Sequence, residues 1–224
     1  MIELHTAPTP NGNKIFMALE EMGLDYEFHP VRISDGDQFK PEFLAFSPNN
    51  RIPAIRDLDG ENGEVVTVFE SGAILIYLAE KTGKFLPESG VERKVVMEWL
   101  MWQMGGFGPM LGQAHHFNFY AKDKIAYAMD RYSNEANRLY GVLDRQLEGK
   151  TYVAGENYSI ADMAIFPWSR TYERQNVDLD KYPNVARWRK TVHARPAVKR
   201  GYRGGFDQVG ELDDAAWNEL FSIT

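Results

Sequence analysis

The feature that most constrains the fold of this chain is a change of hydrophobic period near residue 84. Before it, short alternating runs are interleaved with helical spacings, in the order βαβ, a connector, then ββα. After Leu86-Pro87 the strand patterns stop, and apolar residues recur every three or four positions. At 224 residues the chain is long enough for two small domains. We therefore predict a mixed sheet with helices over residues 1–83 and an all-helical domain over residues 91–224.

Four strands and three helices are expected in the first domain. The strands are predicted at 2–5, 26–32, 54–57 and 65–68, and the helices at 15–22, 40–46 and 70–81. One long helix dominates the second domain, because apolar residues are spaced by 4, 3, 4, 3, 4 and 4: Ile125, Met129, Tyr132, Ala136, Leu139, Leu143 and Leu147. Further helices are predicted at 91–104, 161–168 and 185–192.

The charge balance and the composition exclude several classes of function. Lys and Arg number 25 and Asp and Glu 32, a net charge of −7 with no long basic run, which is unsuited to binding a phosphate backbone. The sequence shows neither a signal peptide nor an apolar stretch near the roughly 20 residues of a membrane span. We expect a cytoplasmic protein with no nucleic-acid and no membrane partner.

The chain contains no cysteine. This excludes structural disulfides, cysteine-based metal sites and any mechanism that uses a nucleophilic thiol of these 224 residues. It is consistent with a reducing compartment.

Ile52-Pro53 precedes the third predicted strand. Proline cannot donate a hydrogen bond to a sheet, so it suits a strand start, an edge or a cis bend. In a βαβ–ββα unit, a cis proline here leaves the N–H and C=O of the preceding residue available to an extended peptide ligand. The pattern favours a binding role over a turn role alone.

Two predicted helix starts carry polar residues. Ser71 has the residue type of an N-cap, and the same helix start could receive a carboxylate while Glu70 holds an ammonium group, as for the zwitterionic end of an amino acid. The segment Thr9-Pro10-Asn11-Gly12 is typical of a turn. Its hydroxyl and amide could also donate to a bound thiolate and lower the pKa of the thiol.

Three other motifs favour structural roles. His115-His116 lacks a third ligand, so no metal site is expected there. The glycine-rich segment 105–112 lacks the strand–turn–helix context of a phosphate loop, and we interpret it as a break between helices where backbone closely approaches another group. Ser159 and Asp162 have the spacing of a capping box.

These motifs together resemble the cytosolic glutathione transferases along nearly the whole chain. The domain order, Ile52-Pro53 and Glu70-Ser71 are typical of the superfamily, and the strings 7–12, 47–53, 69–74 and 106–113 are similar to the bacterial nu class. The resemblance implies a thioredoxin-like α/β N-terminal domain and an all-α C-terminal domain, the glutathione transferase fold. Arg51 stands where a lysine is expected, and the tail after about Gly201 matches no part of the family pattern.

The resemblance also implies roles for individual residues, with glutathione as a bound cosubstrate and no metal. The glutathione-binding residues would be Asn11, Gln38, Ile52, Pro53, Glu70, Ser71 and Arg131. Ile52 would pair its backbone with the cysteinyl part beside a cis Pro53, Glu70 and Ser71 would hold the γ-glutamyl end, and Gln38 would reach the glycyl end.

The remaining implied roles concern the sulfur and a second subunit. Thr9 and Asn11 would face the sulfur as the catalytic residues, where other classes carry tyrosine, serine or cysteine. Arg131 would reach across a homodimer interface to the ligand of the partner subunit.

Members of the nu class act as glutathione-dependent disulfide-bond oxidoreductases, which implies reduction of a small-molecule or peptide disulfide. Because the chain has no thiol, we expect two bound glutathione molecules to supply the sulfur. Two alternatives remain at this stage. One is a conventional glutathione transferase or organic hydroperoxide peroxidase, and the other is a non-catalytic glutathione-binding module.

Overall fold

A computed structural model of the chain describes residues 1–203. Two compact units divide these residues: Met1–Lys81 together with the residues from Arg200 onward, and Thr82–Lys199. Residues 204–224, which include most of the tail after Gly201 and the end of the predicted second domain, lie outside the described residues.

The first unit is built on a four-stranded mixed sheet. Its elements are β1 (Ile2–Thr6), α1 (Pro10–Met22), β2 (Tyr26–Pro30), α2 (Pro41–Leu44), β3 (Ala54–Asp57), β4 (Val66–Phe69) and α3 (Ser71–Thr82). The strand order is β2-β1-β3-β4, with β1 parallel to β2 and antiparallel to β3, and with β3 antiparallel to β4. This is the predicted thioredoxin-like arrangement.

Alternation along β1 places its two faces in different surroundings. Ile2, Leu4 and Thr6 are buried, whereas Glu3 and His5 are half-buried on the other face. α1 is buried over most of its length and ends at Gly23, which has a φ of 70° that glycine adopts without strain.

The chain returns to α1 at residues 200–203. Arg203 N–H donates to Asn13 Oδ1 at 2.8 Å, and Asn13 Nδ2 donates to the Arg203 carbonyl at 3.1 Å. A Cβ added at Gly201 would lie 2.8 Å from Met17 Cα, so only glycine permits this approach to the helix backbone.

The second unit is helical, as the change of period predicts. Its helices are α4 (Gly90–Trp102), α5 (Gly108–His115), α6 (Ala126–Gln146), α7 (Ile160–Ser169) and α8 (Pro183–Ala194), and α9 (Pro196–Gly201) follows α8 along the chain. On the long helix α6, Ala136, Leu139 and Leu143 of the predicted apolar face are buried. Ile125, at the start of that face, precedes the helix and is exposed.

The glycine-rich segment does not break the helix, so the prediction of a break is wrong. Gln103–Phe107 forms a π-helical turn that leads directly into α5. The expected close approach is nevertheless present, because a Cβ added at Gly112 would lie 3.2 Å from Trp168 Cη2. Packing against Trp168 of α7 accounts for Gly108 and Gly112, whereas a Cβ added at Gly105 or Gly106 would meet no atom within 4 Å.

The predicted capping box at the start of α7 is confirmed. Asp162 accepts from the Ser159 N–H at 3.0 Å and from the Ser159 hydroxyl at 3.1 Å, and it also accepts from Val153 N–H at 2.9 Å and Trp188 Nε1 at 2.8 Å. Burial raises the pKa of the Asp162 carboxyl to about 6 even though these donors favour its ionised form. Within residues 1–203, no helix has the length and apolar character needed to cross a membrane.

Candidate glutathione site

Strand register brings three separate stretches of sequence to one edge of the sheet. His5 pairs with Ala54, and Ala54 pairs with Phe69. The end of β1, the start of β3 and the end of β4 are therefore neighbours. Each adjoins a different segment: the loop after β1, the residues before β3 and the residues after β4. Thr9, Ile52-Pro53 and Glu70 belong to these three stretches.

The loop after β1 leads into α1 through Gly12. A Cβ on Gly12 would overlap the carbonyl oxygen of Ala7 and lie 2.6 Å from Thr6 Oγ1. Only glycine therefore allows the first turn of α1 to fold back against the end of β1.

Thr9 is the N-cap of α1. Its Oγ1 accepts a hydrogen bond from Gly12 N–H at 3.1 Å, and Pro10 occupies the first helical position. Since a hydroxyl has one proton and two lone pairs, the capping bond leaves the Thr9 proton able to donate to a ligand. Asn11 is half-buried in the same first turn. The structural role of Thr9 and its predicted role at sulfur are thus compatible.

Ile52 and Pro53 are joined by a cis peptide bond immediately before β3, as the resemblance implies. Pro53 is buried and Ile52 is half-buried. Among residues 1–203, no partner is recorded for the N–H or the carbonyl of Ile52. These two groups can pair with the backbone of an extended peptide.

The start of α3 differs from the predicted cap. Ile74 N–H donates to the Glu70 carbonyl at 2.9 Å, so Glu70 is the capping residue and Ser71 is the first residue of the helix. The expectation that Ser71 is the N-cap is wrong by one position. Glu70 is exposed and has a φ of 71°, a left-handed conformation that costs a non-glycine residue about 1–3 kcal/mol and is often found at functional sites.

Lys14 lies buried beside Ser71 and was not among the predicted site residues. Lys14 is 1% exposed, and its Nζ donates to Ser71 Oγ at 3.1 Å. Burial lowers the pKa of Lys14 to about 7, opposed by the negative charge of Glu70. Lys14 is three and four residues from the buried Met17 and Ala18, so it lies on the apolar face of α1. A lysine at such a position was the sequence signal that could have predicted a buried cation.

Gln38 and Arg51 lie in the connector between β2 and β3. Gln38 is buried, and its Nε2 donates to the Ile33 carbonyl at 3.2 Å. Its Oε1 is buried and has no hydrogen-bond partner within residues 1–203, so it can accept from a ligand N–H. Arg51 is exposed, and its Nη1 donates to Asn50 Oδ1 at 3.2 Å.

Arg131 belongs to the second unit. It is exposed on α6, where it lines an open groove of about 710 Å³. The groove is lined by side chains of α5 and α6: Met110, Tyr127, Asp130, Arg131, Tyr132, Asn134, Glu135 and Arg138.

A mixed sheet in the order β2-β1-β3-β4 with a cis proline before β3 defines a thioredoxin-like domain. The chain belongs to the glutathione S-transferase family: residues 9–81 match the model of the glutathione S-transferase N-terminal domain, and residues 105–196 match that of the C-terminal domain. The predicted family and fold class are confirmed.

Curated relatives in this family have been assigned a disulfide chemistry. The chain is 54% identical over 199 residues to the disulfide-bond oxidoreductase YfcG of Escherichia coli, covering 88% of this chain and 93% of the relative. It is 45% identical over 214 residues to the disulfide-bond oxidoreductase YghU of the same organism, covering 89% and 73%.

Solved structures of similar proteins contain glutathione. A glutathione transferase family member from Pseudomonas fluorescens with two glutathione bound is 47% identical, with a TM-score of 0.86 and coverage of 90% of this chain and 92% of that one. A glutathione transferase from Pseudomonas putida with one glutathione disulfide bound per subunit is also 47% identical, with a TM-score of 0.87 and coverage of 91% of each chain.

Proposed function

We propose that this protein is a glutathione-dependent disulfide-bond reductase that takes both reacting thiols from glutathione. The observation that carries the proposal is the absence of cysteine from the 224 residues of a chain in this family. Thiol–disulfide exchange requires an attacking thiolate, so here the thiolate comes from a ligand. The names of YfcG and YghU and the ligands of the two Pseudomonas structures support this chemistry.

Glutathione binds along the edge of the sheet in this proposal. The backbone of Ile52, next to Pro53, pairs with the cysteinyl residue, and Glu70 holds the α-ammonium of the γ-glutamyl group. The α-carboxylate accepts from Ser71 and from the first N–H groups of α3, where the helix dipole favours an anion.

Lys14 adds a positive charge next to Ser71, and Gln38 binds the glycyl end through its buried amide. Both assignments rest on burial: the Lys14 Nζ lies 3.1 Å from Ser71 Oγ, and the Gln38 Oε1 has no hydrogen-bond partner within residues 1–203. A carboxylate beside Lys14 compensates the desolvation of the ammonium group.

Thr9 and Asn11 act on the sulfur. The Thr9 hydroxyl and the Asn11 side-chain amide donate to the glutathione thiolate at the N-terminus of α1. Donors and a helix N-terminus stabilise the charged form of a thiol, which lowers its pKa and raises the thiolate fraction near neutral pH.

The reaction consists of two exchanges. The first glutathione thiolate attacks one sulfur of the substrate disulfide, which forms a glutathionyl mixed disulfide and releases one substrate thiolate. The second glutathione thiolate attacks the glutathionyl sulfur, which releases the other substrate thiolate and forms glutathione disulfide. Two electrons pass from two glutathione molecules to the substrate, and their two thiol protons end on the two product thiols.

A homodimer in which Arg131 reaches the glutathione of the partner subunit completes the proposed site. The supporting observations are the exposure of Arg131 and its position in an open groove on α6. Arg131→Ala should raise the KM for glutathione without changing the dimer mass in solution.

The test is turnover of 2-hydroxyethyl disulfide with reduced glutathione, followed by the formation of glutathione disulfide. We expect a rate well above the uncatalysed exchange and well above the rates with chlorodinitrobenzene or cumene hydroperoxide. A rate equal to the uncatalysed exchange would overturn the proposal. Faster conjugation of chlorodinitrobenzene would favour the transferase alternative.

Two substitutions of Thr9 separate its capping role from its role at sulfur. Thr9→Ser keeps the cap and the donor and should retain most activity. Thr9→Asp keeps the cap but places a negative charge at the thiolate, so it should lower the rate by about a hundredfold or more while the free energy of unfolding stays close to wild type. Thr67→Asp, on the exposed side of β4, is the matched control for the added charge. Unchanged turnover in Thr9→Asp and in Asn11→Ala would remove both residues from the mechanism.

A further inference from the structure

A second cluster of chemically active side chains lies on the first two strands. β1 contains Glu3-Leu4-His5 and β2 contains Glu27-Phe28-His29, the same Glu-x-His pattern. The parallel register pairs Glu3 with Glu27 and His5 with His29. Because alternate residues of a strand point to the same side, the four side chains form two rows on one face of the sheet.

The histidines face each other across the strand pair. Their rings stack with centroids 4.6 Å apart and planes 15° apart. His5 Nε2 lies 3.7 Å from Glu3 Oε2, and His29 Nε2 lies 3.5 Å from Glu27 Oε1. Ligand atoms of Glu3, His5 and His29 all lie within 4.8 Å of one another.

Both imidazoles have an unsatisfied nitrogen. The Nε2 atoms of His5 and His29 are shielded from solvent and have no hydrogen-bond partner within residues 1–203. A neutral imidazole can offer the lone pair of such a nitrogen to a metal ion. Buried polar atoms without a partner are rare in folded proteins and require an explanation.

We propose that Glu3, His5 and His29 bind a divalent transition-metal ion of the zinc class. Imidazole nitrogen and carboxylate oxygen are ligands that Zn²⁺ accepts, and three protein ligands leave a fourth position for water or for the Glu27 carboxylate. Rotation of an imidazole about its Cβ–Cγ bond, a torsion with a broad minimum, would adjust the direction of its Nε2 toward the ion.

Arg56 orients the carboxylate of this site. Its Nη1 donates to Glu3 Oε2 at 2.7 Å, and a carboxylate has about four lone-pair positions, so the metal and the guanidinium can share Glu3. The ion would join the edge strand β2 to β1. The proposed thiol chemistry uses no metal, so the ion would stabilise the first unit rather than take part in turnover.

The test is a titration of the full chain, free of any affinity tag and of glutathione, after removal of metal with a chelator. Calorimetry should give one Zn²⁺ bound per chain, thermal unfolding should move to higher temperature with Zn²⁺, and Mg²⁺ should have neither effect. His5→Gln and His29→Gln should each weaken Zn²⁺ binding by at least about tenfold. His193→Gln, an exposed histidine on α8, is the matched control and should bind as the wild type does.

A second measurement uses the wild-type chain alone. Bound Zn²⁺ should protect His5 and His29, but not His193, from diethyl pyrocarbonate, with the modified residues mapped by mass spectrometry. Equal Zn²⁺ binding in the double variant His5→Gln/His29→Gln and the wild type would overturn the proposal. So would modification of both histidines at the same rate with and without Zn²⁺. Disulfide turnover should be unchanged in His29→Gln, which distinguishes failure of this proposal from failure of the proposed function.

Discussion

Replacement of Lys14 by methionine tests the electrostatics of the proposed γ-glutamyl site. Methionine keeps most of the side-chain volume and removes the charge. A fall of the Lys14 pKa from 10.5 to about 7 corresponds to about 5 kcal/mol against the ammonium form in the folded protein without ligand. The buried lysine therefore lowers stability in exchange for a cation beside Ser71.

The sign of the pH dependence follows from the direction of this pKa change. Between pH 7 and pH 10 the unfolded chain holds the Lys14 proton and the folded chain has released it, so the unfolded state binds more protons and stability rises with pH. The difference in free energy of unfolding, Lys14→Met minus wild type, should be about 4 kcal/mol at pH 7 and should fall to about 1 kcal/mol near pH 10. Urea unfolding across this range measures it.

Lys14→Met should stabilise the free protein but weaken its binding of glutathione. A bound carboxylate raises the pKa of Lys14, so wild-type protein should take up a proton when it binds S-methylglutathione at pH 8, whereas Lys14→Met should not. The variant should bind about tenfold to a hundredfold more weakly, the usual value of a hydrogen bond to a charged group. Calorimetry in two buffers of different ionisation enthalpy measures both quantities, and Lys94→Met, an exposed lysine paired with Glu98, is the control.

Equal affinity and equal proton uptake in Lys14→Met and wild type would refute the reasoning. That result would place the γ-glutamyl carboxylate away from Ser71 and leave Lys14 with a structural role only.

Three further predictions concern the fold. Gly12→Ala should lower the free energy of unfolding by several kcal/mol and weaken glutathione binding, because its Cβ would overlap the Ala7 carbonyl. Gly105→Ala, with no atom within 4 Å of the added Cβ, should instead raise the free energy of unfolding by up to about 1 kcal/mol, and urea unfolding compares the two. Asp162→Ala leaves donors of Val153, Ser159 and Trp188 unpaired, at about 1–3 kcal/mol each. It should therefore lower the free energy of unfolding far more than Ser159→Ala, which should cost about 1 kcal/mol. Equal losses of unfolding free energy in the two variants would contradict the capping-box account. Burial lowers the pKa of His115 from 6.5 to about 4, so the unfolded chain takes up a proton first as the pH falls. About 3 kcal/mol of stability that is present above pH 6.5 should therefore be lost by pH 4. Between pH 7 and pH 4.5 the free energy of unfolding of the wild type should fall more than that of His115→Gln.

Local pattern was sufficient for most elements of this fold. β1 (Ile2–Thr6) and α6 each bury one face, so their apolar residues recur with the period of a strand or of a helix. That period can be read from the sequence alone. The prediction of a helix break in the glycine-rich segment was wrong. Glycine lowers helix propensity, but tertiary packing against Trp168 favours a continuous helix. At α3, Ser71 has the residue type of a cap, but the left-handed Glu70 takes that position.

By itself, the sequence determined the change from mixed to helical patterns near residue 84, the segments that carry polar groups at helix starts, and the absence of a thiol from the chain. Only the tertiary structure decided which of these segments meet. The register of β1, β3 and β4 brings together the strand ends that adjoin the segments containing Thr9, Ile52 and Glu70. The packing of α1 brings the Lys14 ammonium to Ser71 across 57 positions. The physical reason is that periodicity depends on burial within one element, whereas strand order and contacts between distant residues depend on the packing of the whole unit.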